Sequence, residues 1–221
     1  MLRRNRKNKK VIIGLTGSFG SGKSSVARIL VSCGAWIIDA DKLAHKSINP
    51  GGKSYRKVIS VFGNSILKKD KTIDRRKLSG VVFNNESLLE RLNRIIHPEV
   101  IRMIKNEIKK AKANFIVLDA PLLIEASLKG IVDKLIVVKA TQELQIQRIK
   151  KRSSLTRGEI LKRIKYQIPL RVKARLADFI IDNSKSLRKT RRQVKEVWRS
   201  LKGINSPAIS AGSLRRKLWK N

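Results

Sequence analysis

The chain has 221 residues, enough for one full-sized core with a small inserted subdomain. Hydrophobic residues make up 41% of it, but nowhere do they form the run of about 20 that a membrane span needs. Its 52 Lys plus Arg against 16 Asp plus Glu give a formal charge of +36, a potential that draws nucleic acid, anionic surfaces and phosphorylated metabolites alike. The basic residues are spread along the whole chain, and aromatic residues, the stacking platforms for bases, make up only 5%. The charge therefore reads as a property of the surface, with non-specific nucleic-acid association as its consequence. The single cysteine, Cys33, excludes an internal disulfide and fits a reducing compartment, so the cytoplasm is the expected location. Two histidines and one cysteine lack metal-ligand spacing, and a structural zinc site is not expected.

The opening MLRRNRKNKK, residues 1–10, is a basic arm without the apolar core of a secretory signal. Val11 to Leu15 is wholly apolar, as a buried parallel strand requires. A glycine-rich loop follows. Next comes a helix from near Lys23, with Val26, Ile29, Leu30 and Cys33 on one face and Gly34 to stop it. Trp36 to Ile38 is a second strand, ending on Asp39-Ala40-Asp41, with a helix expected from near Lys42. From there to about Asn114 the pattern is helical, and 43–114 reads as an insertion. Asp74 caps one of its helices, and His97-Pro98 is expected to interrupt another that starts near Glu86. Strands return at Phe115 to Leu118, Leu135 to Val138 and Phe179 to Ile181. A basic helix from Glu143 to about Arg152 precedes a capping box, Thr156 with Glu159, that opens a further helix. Val194, Val197, Trp198 and Leu201 line a last helix, and 203–221 is a basic tail.

Gly17 to Ser24, GSFGSGKS, has the spacing of a phosphate-binding loop. Its glycines allow a tight turn whose N–H groups converge on phosphate oxygens, and the following helix presents its positive end to the same anion. Lys23 would reach the β- and γ-phosphates of a nucleotide such as ATP, and Ser24 would meet Mg²⁺. Asp39, Asp41 and Asp119 stand directly after apolar runs in an acid-poor chain, and strand ends form the ligand crevice of open α/β sheets. Asp41 or Asp39 could orient an acceptor hydroxyl and take its proton, or hold Mg²⁺ through water, or either could cap the next helix. Asp119 could reach Mg²⁺ through water, or satisfy the backbone before Pro121. Arg148 and Arg152, four apart, could grip phosphate together from one helix face, and Arg75 and Arg76 could meet phosphates of a substrate. His97 reads as a helix-joint residue, and Trp36, Trp198 and Trp219 as core or tail.

GLTGSFGSGKSSVA (Gly14 to Ala27) followed by IIDADKLAHK (Ile37 to Lys46) resembles the dephospho-CoA kinase family. IIHPEV, LDAPLLIEA, QIQRIKKR and ADFIIDNS, within Ile95 to Ser184, match the same family in the same order, so that the resemblance runs from about Val11 to Leu201. It implies ATP-dependent phosphorylation of the ribose 3′-hydroxyl of dephospho-CoA. On that reading Asp41 is the catalytic aspartate and Arg148 a lid arginine; Thr16, Gly17, Gly20, Ser21, Gly22, Lys23, Ser24 and Ser25 surround the phosphates, and Asn183 borders the adenine. Phe19 replaces a small aliphatic residue of the family and Ser25 a threonine, and neither change removes a donor.

The expected fold is three-layered α/β of the P-loop kinase type, with a parallel sheet of about five strands. Residues 11–42 and 115–202 form its core, 43–114 the helical acceptor insertion and about 146–166 a lid. A P-loop kinase for a nucleoside or nucleotide acceptor, or less directly an NTP-dependent nucleic-acid-binding protein, would share the loop; oligomeric state is left open.

Overall fold

In the computed structural model, residues 10–82, 85–126 and 128–204 are described. The basic arm, except for Lys10, and the tail beyond Ile204, with Trp219, lie outside them. Two compact units divide the chain: Met1–Ile37 with Lys112–Asn221, and Ile38–Ala111.

The first unit is built on a five-stranded parallel sheet in the order β2-β3-β1-β4-β5. Its strands are β1 (Val11–Gly17), β2 (Trp36–Asp39, whose last two residues open the second unit), β3 (Phe115–Asp119), β4 (Lys134–Lys139) and β5 (Phe179–Asp182). β1 is the centre: Leu15 pairs with Asp119 on one side and with Ile136 on the other. Four consecutive residues of β4, Leu135 to Val138, are buried. Successive side chains of a strand face opposite ways, so the sheet is covered on both faces, which makes three layers.

One covering layer is α1 (Lys23–Ser32) with α9 (Leu187–Ile204). Val26, Ile29 and Leu30 of α1 meet Val194, Val197, Trp198 and Leu201 of α9 and the inner faces of β1, β4 and β5. Cys33 packs half-buried at the edge of this cluster, and the Trp198 ring lies 4.9 Å from Phe115. Trp36 is 48% exposed and is neither core nor tail, because its strand presents it outward. After β4 come α6 (Gln142–Lys150), α7 (Arg157–Lys165) and α8 (Leu170–Leu176). Ile146, Ile149 and Ile160 join α6 to α7 and collect Phe19 of the glycine-rich loop. The capping box of α7 forms as spaced, Thr156 with Glu159.

The second unit is helical: α2 (Ala40–Ser47), α3 (Tyr55–Phe62), α4 (Arg75–Val82) and α5 (Glu86–Lys110). Its described residues contain one isolated bridge, Leu67 with Ile73, and no strand other than the end of β2. Ile48, Val58, Ile66, Ile73, Leu78, Val82 and Leu92 form its core. Asp74 accepts from the N–H groups of Arg76 and Lys77 and so starts α4.

The expected interruption at His97-Pro98 does not occur: α5 runs through it unbroken. Pro98 withholds one ladder donor, but Leu92, Ile96, Val100 and Ile104 keep a spacing of four across it, with Leu92, Val100 and Ile104 buried. Burial of that stripe outweighs one missing bond. Ser54 also donates to the Ile95 carbonyl (3.3 Å) in the turn before the proline.

Candidate active site

Glycine-rich loops work by backbone, and this one follows the central strand. Gly17 ends β1, Gly20 turns with φ +79°, and Gly22 is the N-cap of α1 with φ +83°. Gly22 supplies no side-chain cap and α1 has no acid in its first turn, whereas α2, α5 and α7 are capped by Asp39, Asn85 and Thr156. The positive end of α1 is thus left for an external anion. Ser24 stands exposed in its first turn, and the N–H of half-buried Ser25 donates to the Gly22 carbonyl (3.0 Å). Ser21 is buried, with its hydroxyl oxygen unpartnered.

Lys23 pairs with Asp119 at the end of β3, both side chains 15% exposed. The parallel register brings them together, since β1 and β3 run side by side and end at one edge of the sheet. Thr16, fully buried, donates its hydroxyl to the Pro121 carbonyl (2.9 Å), just beyond Asp119.

Arg148 of α6 donates to the carbonyls of Ser21 (3.1 Å) and Asn183 (2.8 Å). Burial, and then the Arg152 charge, lower its pKa. The expected fork of Arg148 and Arg152 on one helix face is not formed: α6 ends at Lys150, and Arg152 sits in the turn beyond, its N–H on the Ile149 carbonyl (2.9 Å). The apolar packing of Ile146 and Ile149 stops there, and with it the reason to continue the helix. Asn183 is buried beneath the loop, its amide donating to the Ser21 carbonyl (2.8 Å) and its oxygen accepting from Thr190 (2.8 Å).

In the second unit, α2 starts at Ala40, two residues before the expected position, so Asp41 lies in its first turn rather than at a strand tip. Asp39 is the N-cap, accepting from the Lys42 N–H (3.0 Å). Asp41 is exposed, one turn before His45. Arg75 of α4 lies against the His45 ring, its guanidinium 2.8 Å from Nε2. Burial first, then Arg75, lower the His45 pKa, while Asp41 and Asp39 oppose them. His45 and Arg75 edge a cavity of about 190 Å³ with Ile48, Leu78, Val82 and Leu92 along its walls. His97, inside α5, has its pKa lowered by burial alone.

The dephospho-CoA kinase family model matches residues 11–189, which include every candidate residue above. The chain belongs to the dephospho-CoA kinase family. The Carboxydothermus hydrogenoformans dephospho-CoA kinase is 47% identical over 186 residues, covering 83% of this chain and 90% of the relative. Among solved structures, a Thermus thermophilus protein superposes with a TM-score of 0.77 and the dephospho-CoA kinase from Campylobacter jejuni with 0.65, each at 32% identity. They cover 87% and 88% of this chain, and 98% of each neighbour is covered.

Three residues of this family member escaped sequence reasoning. Gln167 accepts from the Phe19 N–H of the loop (2.8 Å), Lys173 is fully buried, and Glu125 pairs with it at 2.8 Å. Glu125 carried a signal, an acid inside the apolar run PLLIEA of an acid-poor chain. Lys173 carried none, because nothing local separates it from the exposed cations around it.

Proposed function

We propose that the protein transfers the γ-phosphoryl group of ATP to the ribose 3′-hydroxyl of dephospho-CoA, giving coenzyme A and ADP. The observation that carries the donor side is the Lys23–Asp119 pair set beside an uncapped α1 at the ends of two parallel strands. Phosphoryl transfer asks a protein chiefly for positioning and for neutralising charge. The loop from Gly17 to Ser25 holds the triphosphate against the uncapped start of α1, and Lys23 exchanges Asp119 for the β- and γ-phosphate oxygens. Ser24 and Asp119 offer hard oxygen ligands of the kind Mg²⁺ takes beside phosphate, and an ion bound with the nucleotide would offset its charge. Arg148, which already spans the loop carbonyl and Asn183, balances charge on the transferred group, and α6 with α7 acts as the lid. The segment of Asn183 borders the adenine.

On the acceptor side, Asp41 orients the 3′-hydroxyl and takes its proton as the new P–O bond forms and ADP leaves. The second unit is the acceptor domain. Its apolar cavity, edged by the Arg75 guanidinium, suits a ligand that joins an uncharged arm to phosphates, as dephospho-CoA does. No helix among the described residues is long and apolar enough to cross a membrane, and the single cysteine supports a cytoplasmic site of action. The +36 charge supports non-specific association with nucleic acid as a separate property.

Asp41→Asn tests the assignment. General-base catalysis is worth about 100- to 10,000-fold, so the variant should lose at least about 100-fold in kcat on dephospho-CoA while binding ATP normally. Full activity in Asp41→Asn would remove Asp41 from the mechanism.

A further inference from the structure

Lysine is almost never fully buried without a reason, and Lys173 of α8 has no exposed surface. Its ammonium donates to two oxygens, Glu125 Oε1 at 2.8 Å and the Pro121 carbonyl at 3.1 Å. Both acceptors belong to the turn that follows β3. The same Glu125 oxygen accepts from the Ile168 N–H (3.0 Å), and the same Pro121 carbonyl accepts from the Thr16 hydroxyl (2.9 Å). Glu125 Oε2 is buried without a partner.

Such a pair is a poor device for stability alone. Desolvation of two charges offsets most of their attraction, and an apolar pair of equal volume often serves as well. The turn already has an apolar anchor: Leu123 is fully buried and reaches β1 at Gly14. What an apolar side chain could not do is hold a carbonyl. The carbonyl that Lys173 holds lies two residues after Asp119, and its other donor, Thr16, immediately precedes the glycine-rich loop. The two flanks of the Lys23–Asp119 pair are thus tied to one atom, and Lys173 fixes that atom from behind.

We propose that Lys173 is a positioning residue for phosphoryl transfer: by clamping the Pro121 carbonyl, it sets the Asp119 carboxylate opposite Lys23. The proposal rests on the reading of Asp119 as part of the donor site. Among the described residues the Lys173 ammonium donates to Glu125 and Pro121, not to Asp119 or the glycine-rich loop, so it acts through the turn.

The test is a double-mutant cycle on kcat. One arm is Lys173→Met with Glu125→Gln, which removes both buried charges together and keeps an acceptor for the Ile168 N–H. The other arm is Asp119→Asn, and the third protein combines them. The expected results are a tenfold or larger fall in kcat for the charge-free pair, with KM for dephospho-CoA within twofold of the parent. In the Asp119→Asn background the same pair should cost no further twofold. A charge-free pair that turns over within twofold of the parent, or losses that multiply in the combined protein, overturns the positioning role. Asp119→Asn at parental kcat instead refutes the reading of Asp119 itself, and is seen in that single variant. Should the charge-free pair not fold, Lys173→Arg decides. It retains a buried donor and is expected to keep kcat within about threefold; a loss as deep as that of Asp119→Asn counts against the clamp.

Discussion

Alanine at Gly22 meets two separate obstacles. The backbone there has φ +83°, where an L-residue costs about 1–2 kcal/mol. The added Cβ would also run into Nδ2 of Asn183 and come within 3.1 Å of Arg148 Nη1. Asn183 is buried, so it moves only by giving up its 2.8 Å bond to the Ser21 carbonyl. Losing a buried bond of that kind costs about 1–3 kcal/mol. Together the two terms come to roughly 2–5 kcal/mol, which in a chain of this size lowers the melting temperature by roughly 5–15 °C. Thermal unfolding followed by circular dichroism reads the first quantity, and calorimetric titration with ATP and Mg²⁺ reads the second, a loss of affinity as the loop is displaced. Gly34→Ala is the matched control. It has φ +101° with nothing within 4 Å of the added Cβ, so it carries the backbone strain alone. If Gly22→Ala and Gly34→Ala melt alike, and Gly22→Ala binds ATP within twofold of the parent, the packing of Asn183 and Arg148 under the loop is not what holds its shape.

Two further outcomes are expected. Arg75→Ala should raise KM for dephospho-CoA by about 10- to 100-fold, the worth of a charge-assisted hydrogen bond, and leave KM for ATP unchanged; an equal rise in both would place Arg75 outside acceptor recognition. The folded pKa values of His45 and His97 lie below 6.5, through burial in both and additionally Arg75 for His45. The unfolded chain therefore takes up these protons more readily, so their contribution is complete above the ordinary histidine pKa and declines as pH falls through it. Melting temperature measured from pH 7.5 to 5 should drop, and His97→Gln should make the drop shallower. An unchanged slope would show that His97 is not responsible.

What the sequence revealed divides by range. The tight turn from Gly17 to Ser24 and the capping box at Thr156 are local devices whose spacing is itself the geometry: Gly20 and Gly22 turn with positive φ ahead of α1, and Thr156 pairs with Glu159. The five strands and the inserted helices followed from apolar periodicity. Local rules failed where packing overrode them. Pro98 removes one hydrogen bond, but the buried face from Leu92 to Ile104 carries α5 across it. Arg152 has helical spacing from Arg148, but the helix stops two residues earlier, where its packing ends. Asp39 took the cap and so moved Asp41 into the helix, a competition between two adjacent acids that spacing alone leaves open. Lys173 was illegible because its burial depends on Glu125 and Pro121, about fifty residues away along the chain.

The chemistry proposed for this site stands on the identity of the acceptor. Incubation with ATP, Mg²⁺ and dephospho-CoA, with products resolved by mass spectrometry, tests it directly. The expected products are coenzyme A carrying its new phosphate on the ribose 3′-oxygen and an equal amount of ADP, with no phosphorylated product from nucleosides or nucleoside monophosphates offered in place of dephospho-CoA. ADP without coenzyme A, or efficient phosphorylation of those other acceptors while dephospho-CoA remains unchanged, would contradict this identity of the acceptor.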